Sequence, residues 1–148
     1  MAITRNSKDA AFDYATRLKD AGLVAASAAA QVGGSDKILD IGAARFDGRV
    51  IVDTSAVEVG SGNEQYLVLV QGSNSATFAS GVVNLGATNL GDSSVSLESA
   101  DTGAAERREI AFCNEVNGTV YRYLRVYTFV AGTIATGINY TANLVAKA

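Results

Sequence analysis

The sequence of 148 residues has no histidine, no proline, no tryptophan and a single cysteine, Cys113. Without imidazole no Ser-His-Asp or Cys-His nucleophile pair can form and no His-ligated zinc or iron site can be built. Nor does any side chain titrate near neutrality without a large pKa shift. Most enzyme chemistry is thereby removed, and no catalytic residue or cofactor is assigned. One cysteine cannot pair within the chain, so folding in a reducing compartment is expected, with an intermolecular bridge left open. Long apolar runs are also missing. The longest, residues 23–30 with Ser27 inside it, is far short of a membrane span, and the first nine residues offer no apolar core for a secretion signal. The expectation is a soluble protein made in the cytoplasm, with no membrane partner.

Positive charge is scarce as well. Twelve Lys and Arg against fifteen Asp and Glu give a net charge of −3, and Arg107-Arg108 is flanked by Glu106 and Glu109. This is no nucleic-acid footprint, which needs a clustered basic face. The charge is uneven, however: no charged residue occurs from Gln65 to Gly91, across 27 positions. A neutral run holding Tyr66, Leu67, Val68, Leu69, Val70, Phe78, Val82, Val83 and Leu85 is expected to be buried on both faces, as domain core or as part of an oligomer interface.

What is present is a Gly-, Ser-, Thr-, Asn- and Val-rich chain with turn signals at the spacing of an all-β sandwich or barrel. Asp47-Gly48 and Asn117-Gly118 are dipeptides that accept the positive φ angles of type I′ hairpins, and each is read as a turn between two strands. Between the breaks the hydrophobic period is two. Ile134, Thr136, Ile138, Tyr140, Ala142 and Leu144 share one face of the last segment. In the preceding one Val120, Leu124, Val126 and Val130 oppose Tyr121, Tyr123, Tyr127 and Phe129, so the second face is aromatic. About eight strands result, enough for two packed antiparallel sheets: an all-β jelly roll or sandwich over residues 34–148. Residues 1–33 read as an N-terminal arm, extended or with a short helix over Ser7–Asp20 capped by Ser7. Phe12, Tyr14, Arg17 and Lys19 are its candidate partner contacts, and a domain lacking residues 1–20 is expected to fold.

Chemical motifs are few. Asp101-Thr102-Gly103-Ala104 matches the aspartic-protease triplet, but no apolar strand leads into it and no second half of that site is found, so a turn is the preferred reading. Cys113 lacks a base and reads as core packing. The Gly60–Gln65 segment lacks the last glycine of a dinucleotide fingerprint and leads into a strand, which makes it a hairpin loop. Asp36, Asp40, Asp47 and Asp53 have no loop-like calcium spacing and read as solvated surface, so no metal site is assigned. The tyrosine-rich face suits sugar stacking or, with no tryptophan to support a platform, packing against a sheet or a neighbouring chain.

Three stretches together carry a resemblance. Asp20-Ala21-Gly22 with the small-residue segment after it, then Lys37-Ile38-Leu39-Asp40-Ile41-Gly42-Ala43-Ala44-Arg45, then Tyr121-Arg122-Tyr123-Leu124-Arg125-Val126-Tyr127-Thr128 and the ending that follows, resemble the capsid cement (decoration) proteins of tailed bacteriophages. The longer N-terminal lead and the missing loop prolines depart from that family. The resemblance implies a jelly roll that self-associates as a homodimer or homotrimer and clamps neighbouring major capsid proteins on the outer surface of the virion. A carbohydrate- or receptor-binding jelly roll of a virion is the alternative.

Overall fold

The computed structural model describes residues 13–95 and 103–146. After a single 3₁₀ turn at Tyr14–Thr16, the described chain is built from strands. Short ones come first: β1 Arg17–Lys19, β2 Leu23–Val24, β3 Ala28–Ala29, β4 Gln31–Val32, β5 Ser35–Asp36 and β6 Leu39–Asp40. Then follow β7 Asp47–Val57, β8 Gln65–Ser73, β9 Val83–Gly91, β10 Arg107–Cys113, β11 Glu115–Val116, β12 Thr119–Val120, β13 Tyr123–Ala131 and β14 Ile138–Ala146.

Two sheets carry the domain. One runs β1-β14-β7-β10, with β2 also paired to β14; the other runs β3-β13-β8-β9, with β6 also paired to β13. Every pairing is antiparallel. Joining β1 with β2, and β3 with β6, gives eight strands in chain order whose sheets read 1-8-3-6 and 2-7-4-5. That interleaving of two Greek keys is a jelly roll, as the resemblance implied.

Alternation selects the core. Tyr66, Val68 and Val70 from β8, Leu124 and Val126 from β13, Val50 and Val52 from β7, and Tyr140, Ala142 and Leu144 from β14 fill the space between the sheets. The Thr128 and Tyr140 hydroxyls meet in this core at 2.6 Å, which gives the buried phenol the partner that burial requires. Burial pushes the Tyr140 pKa upward, and the Thr128 hydrogen bond only partly opposes this.

The first part of the chain is not an arm from residue 17 onward. Leu18 is fully buried in the core and Ala30 nearly so, while Arg17 and Lys19 pair with Asn143 and Ala142. Lys19 is 3% exposed. Its ammonium donates to the carbonyls of Asp20, Gly22 and Tyr140 at 2.9, 3.0 and 2.9 Å and lies 4.4 Å from the Tyr140 ring centroid. Burial lowers its pKa to about 8, with the Asp20 charge opposing, and all three donors are committed to main-chain oxygens. Of the two forms expected for this segment, extended or with a short helix, residues 13–19 take the extended one, a 3₁₀ turn that Asp13 caps through Ala15 N–H followed by β1. Residues 7–12 lie outside the described chain. The domain boundary therefore falls ahead of β1, not at residue 33, and removing residues 1–20 would take out a core strand.

Of the two expected hairpins, Asn117-Gly118 forms, with φ of 50° and 80° between β11 and β12. Asp47-Gly48 does not. Gly48 lies within β7, paired to both Phe112 and Ala146, and a Cβ there would stand 2.5 Å from the Phe46 ring and 3.1 Å from the Val145 carbonyl. The glycine permits close packing and not a turn. The segment at residues 60–64 likewise joins strands of different sheets and is not a hairpin.

Polar side chains lock both ends of the sandwich. At one end Asn114, fully buried, accepts from Phe46 N–H at 2.6 Å and donates to the carbonyls of Ala44 and Tyr121. At the other, Glu58 accepts from the amides of Ala135, Thr136 and Gly137. Glu64, also fully buried, accepts from those of Ser61 and Asn63. The Gly137 and Thr136 amides hold the Glu58 pKa below the ordinary range. For Glu64 burial pushes upward, but the amide bonds outweigh it and the net shift is downward.

Two outcomes follow. Asn114→Ala removes three buried hydrogen bonds and is expected to cost about 3 kcal/mol in urea unfolding; an unchanged midpoint would contradict this role. For Glu58, a folded-state pKa below the unfolded one means that its contribution is complete above the ordinary glutamate value. It is lost as pH falls through the folded value. Unfolding midpoints should therefore decline on acidification below about pH 4.5, and Glu58→Gln should be less stable at neutral pH with a shallower acid decline. An identical slope in the variant would sink the assignment.

Candidate functional site

The two outer faces of the sandwich differ in chemistry. On the β7-β10-β14 face, charges neutralise one another in place. Arg107 pairs with Asp53 through two hydrogen bonds at 2.6 and 2.9 Å, and Arg49 pairs with Glu109 at 3.1 Å. Exposed pairs of this kind suit a solvated surface and add little stability.

The outer face of β9, β8 and β13 carries few charges and several apolar and aromatic side chains. The register lays it out in rows. Phe129 stands beside Leu67, with Asn89 beyond; Tyr127 lies between Ala29 and Leu69, with Ala87 beyond; Arg125 adjoins Gln71, with Asn84 beyond; and Tyr123 lies between Asp40 and Ser73. Phe129 is 40% exposed, and Leu67, Leu69, Tyr123 and Tyr127 are half-buried. The charge-free run is thus buried on one side and only in part on the other. There Gln71, Ser73 and Asn89 are buried, Leu67 and Leu69 half-buried and Ala87 exposed.

Arg125 sits within this face. Its Nε donates to Gln71 Oε1 at 2.9 Å, and its guanidinium carbon lies 4.5 Å from the Phe78 ring centroid and 5.4 Å from that of Tyr127. Both rings fall within cation–π range. Each of the other six described arginines has a carboxylate within 4 Å. Among the described residues Arg125 has none, and neither of its terminal nitrogens has a hydrogen-bond partner.

Phe78 is placed by a tight loop. Its φ of 56° is a left-handed conformation that a bulky side chain rarely adopts. The loop holds it there with Phe78 N–H donating to the Ser75 carbonyl, Ser73 Oγ donating to the Ser80 carbonyl at 2.7 Å and Ala79 N–H donating to Ser75 Oγ. The ring is 7% exposed and packs on the arginine. Strain of this kind persists only where surrounding structure over-determines it.

The residues proposed as arm contacts are not brought together here. Tyr14 is exposed, Arg17 pairs with Asp20 at 3.3 Å, and Lys19 is buried and saturated, so it cannot serve as a surface contact. Phe12 lies outside the described residues, as do Asp101 and Thr102 of the protease-like triplet. Cys113 is half-buried and points away from the core, opposite in parity to Phe112. Asp40 and Asp53 are each held bidentately by an arginine, Arg122 and Arg107. The arginine draws the Asp40 pKa down to about 2, with the Gly42 amide helping. Among the described residues no three His, Cys, Asp or Glu side chains come together as a metal site.

No family model matches the chain, and no curated protein matches it. Among solved structures it is similar to the CBM22-1–GH10 modules of Clostridium thermocellum xylanase 10B complexed with xylohexaose, at 12% identity and a TM-score of 0.39. The likeness covers 93% of this chain and 27% of that one.

Proposed function

We propose that this chain is a structural protein that decorates and stabilises a viral capsid by bridging neighbouring major capsid proteins on the outer surface of the virion, without catalysis. The observation that carries the reading is the asymmetry of the two sheet faces. One carries ion pairs beside the buried Ile51, Asn143 and Val145; the other is a broad, largely uncharged, partly aromatic surface with an arginine that has no carboxylate partner among the described residues. A surface of that kind suits protein contact, since aromatic and arginine side chains are enriched in the desolvated centre of interfaces. Loops tied at both ends by buried polar groups support the same reading, because a rigid clamp loses little entropy on binding. Repeated over an icosahedral shell, modest contacts sum by multivalency, and self-association as a homodimer or homotrimer would multiply them further.

A carbohydrate- or receptor-binding role is the second reading, favoured by the exposed ring of Phe129 and the half-exposed rings of Tyr123 and Tyr127.

The deciding experiment adds the purified chain to expanded shells that lack it. Retention on the shells, with a higher rupture temperature, is expected. Absence of retention, with binding on a glycan array instead, would move the assignment to the second reading. Light scattering of the free chain at neutral pH should give the mass of a dimer or trimer; a monomer at high concentration would remove the self-association part.

A further inference from the structure

We infer that the outer face of β9, β8 and β13 docks a different protein that presents a carboxylate among apolar side chains, with Arg125 as the group that receives it. This specifies the surface used in the capsid reading and rests on that reading only for who the partner is.

The arginine is pre-organised for the task. A guanidinium offers a planar fork of donors that matches a carboxylate with two parallel hydrogen bonds. Gln71 takes one donor and fixes the plane, while Phe78 and Tyr127 fix the tilt. The terminal nitrogens are left for a ligand. Leu69 and Tyr127 form the next row of the face, with Leu67 and Phe129 one row further on, and these side chains can exclude water when covered, the arrangement in which a single charged contact counts most. The left-handed backbone of Phe78 is a local cost borne at the residue that stacks on this side chain.

Charge pattern decides against two other occupants, a second copy and nucleic acid. In a two-fold dimer formed through this face, each copy must supply the counter-charge for the other. Among the described residues the face carries Arg125 and, at one end, Asp40, whose two oxygens are taken by Arg122. A second copy would therefore bury Arg125 against neutral groups or another Arg125, which like-charge repulsion and desolvation oppose. A sugar would meet Leu67, Leu69, Ala87 and Ala29 between the rings, with Gln71, Asn84 and Asn89 along the rows, and glycan binding is an outcome of the test. Nucleic acid would need a run of basic residues, and a single arginine does not make one.

The test immobilises the full chain and pans a random-peptide display library on it and, in parallel, on Arg125→Gln. Selected peptides should combine Asp or Glu with apolar or aromatic residues, and their synthetic versions should bind Arg125→Gln about thirtyfold more weakly. Phe129→Ser, a change at an exposed position, serves as the second variant should Arg125→Gln fail to fold, and should also weaken binding. Peptides without acidic enrichment, equal binding to the variants, or no selectable peptide would overturn the proposal. So would glycan binding that depends on Phe129, or a fall in the chain's own oligomeric mass in Phe129→Ser. If the peptides behave as expected while shells fail to retain the chain, the capsid reading falls and the docking face stands.

Discussion

Asn114 at one end of the sandwich and Glu58 at the other bind main-chain groups of loops that are distant in sequence, and Glu64 ties its own loop through the Ser61 and Asn63 amides. The chain has no proline to stiffen its loops and no disulfide to close them. The loss of chain entropy on ordering these connections, roughly 1–2 kcal/mol per residue, is offset by side chains that satisfy main-chain groups the sheets leave unpaired. A buried Asn or Glu with all its bonds made contributes; the same residue with one bond missing costs more than it gives. The connections between sheets, and through them the sheet faces, depend on these contacts being complete. The loop that carries Phe78 is held in the same manner, by Ser73 and Ser75.

A rigid frame makes the difference between the two outer faces functional. On the β7-β10-β14 side, Arg107–Asp53 and Arg49–Glu109 answer each other, and no partner is needed. On the β9-β8-β13 side a neutral surface surrounds one arginine that is oriented but not neutralised. Coulomb attraction across a covered, low-dielectric contact is several times stronger than in water. The free energy available at Arg125 is therefore realised when something with a carboxylate covers it. This links the packing of one loop residue, Phe78, to recognition at the sheet face.

Much of this was legible in the sequence. The period of two gave the inward set Tyr140, Ala142 and Leu144, and Asn117-Gly118 gave a turn, because these signals are local; the run from Gln65 was expected to be buried on both faces, and only its Tyr66, Val68 and Val70 side enters the core. The aromatic parity of β13 also identified the outward face. Residues 17–32 were read as an arm because strands of two or three residues are too short to show a period, and because alanines packed thinly against a sheet look like linker. Their strand character comes from distant partners, Asn139 and Ala142 on one sheet and Tyr127 and Thr128 on the other. Gly48 misled because the same lack of a Cβ serves a turn and a close approach equally. The significance of Arg125 is a non-local fact: only in three dimensions does it stand without a carboxylate while its six described counterparts have one.

The central claim, that the neutral sheet face is the docking face, is tested most directly by an electron cryomicroscopy reconstruction of shells decorated with the full chain. The account predicts that the outer face of β9, β8 and β13 is buried against the shell, with a capsid carboxylate about 3 Å from the Arg125 terminal nitrogens. A map in which that face looks out to solvent while the ion-paired β7-β10-β14 face contacts the shell would contradict it.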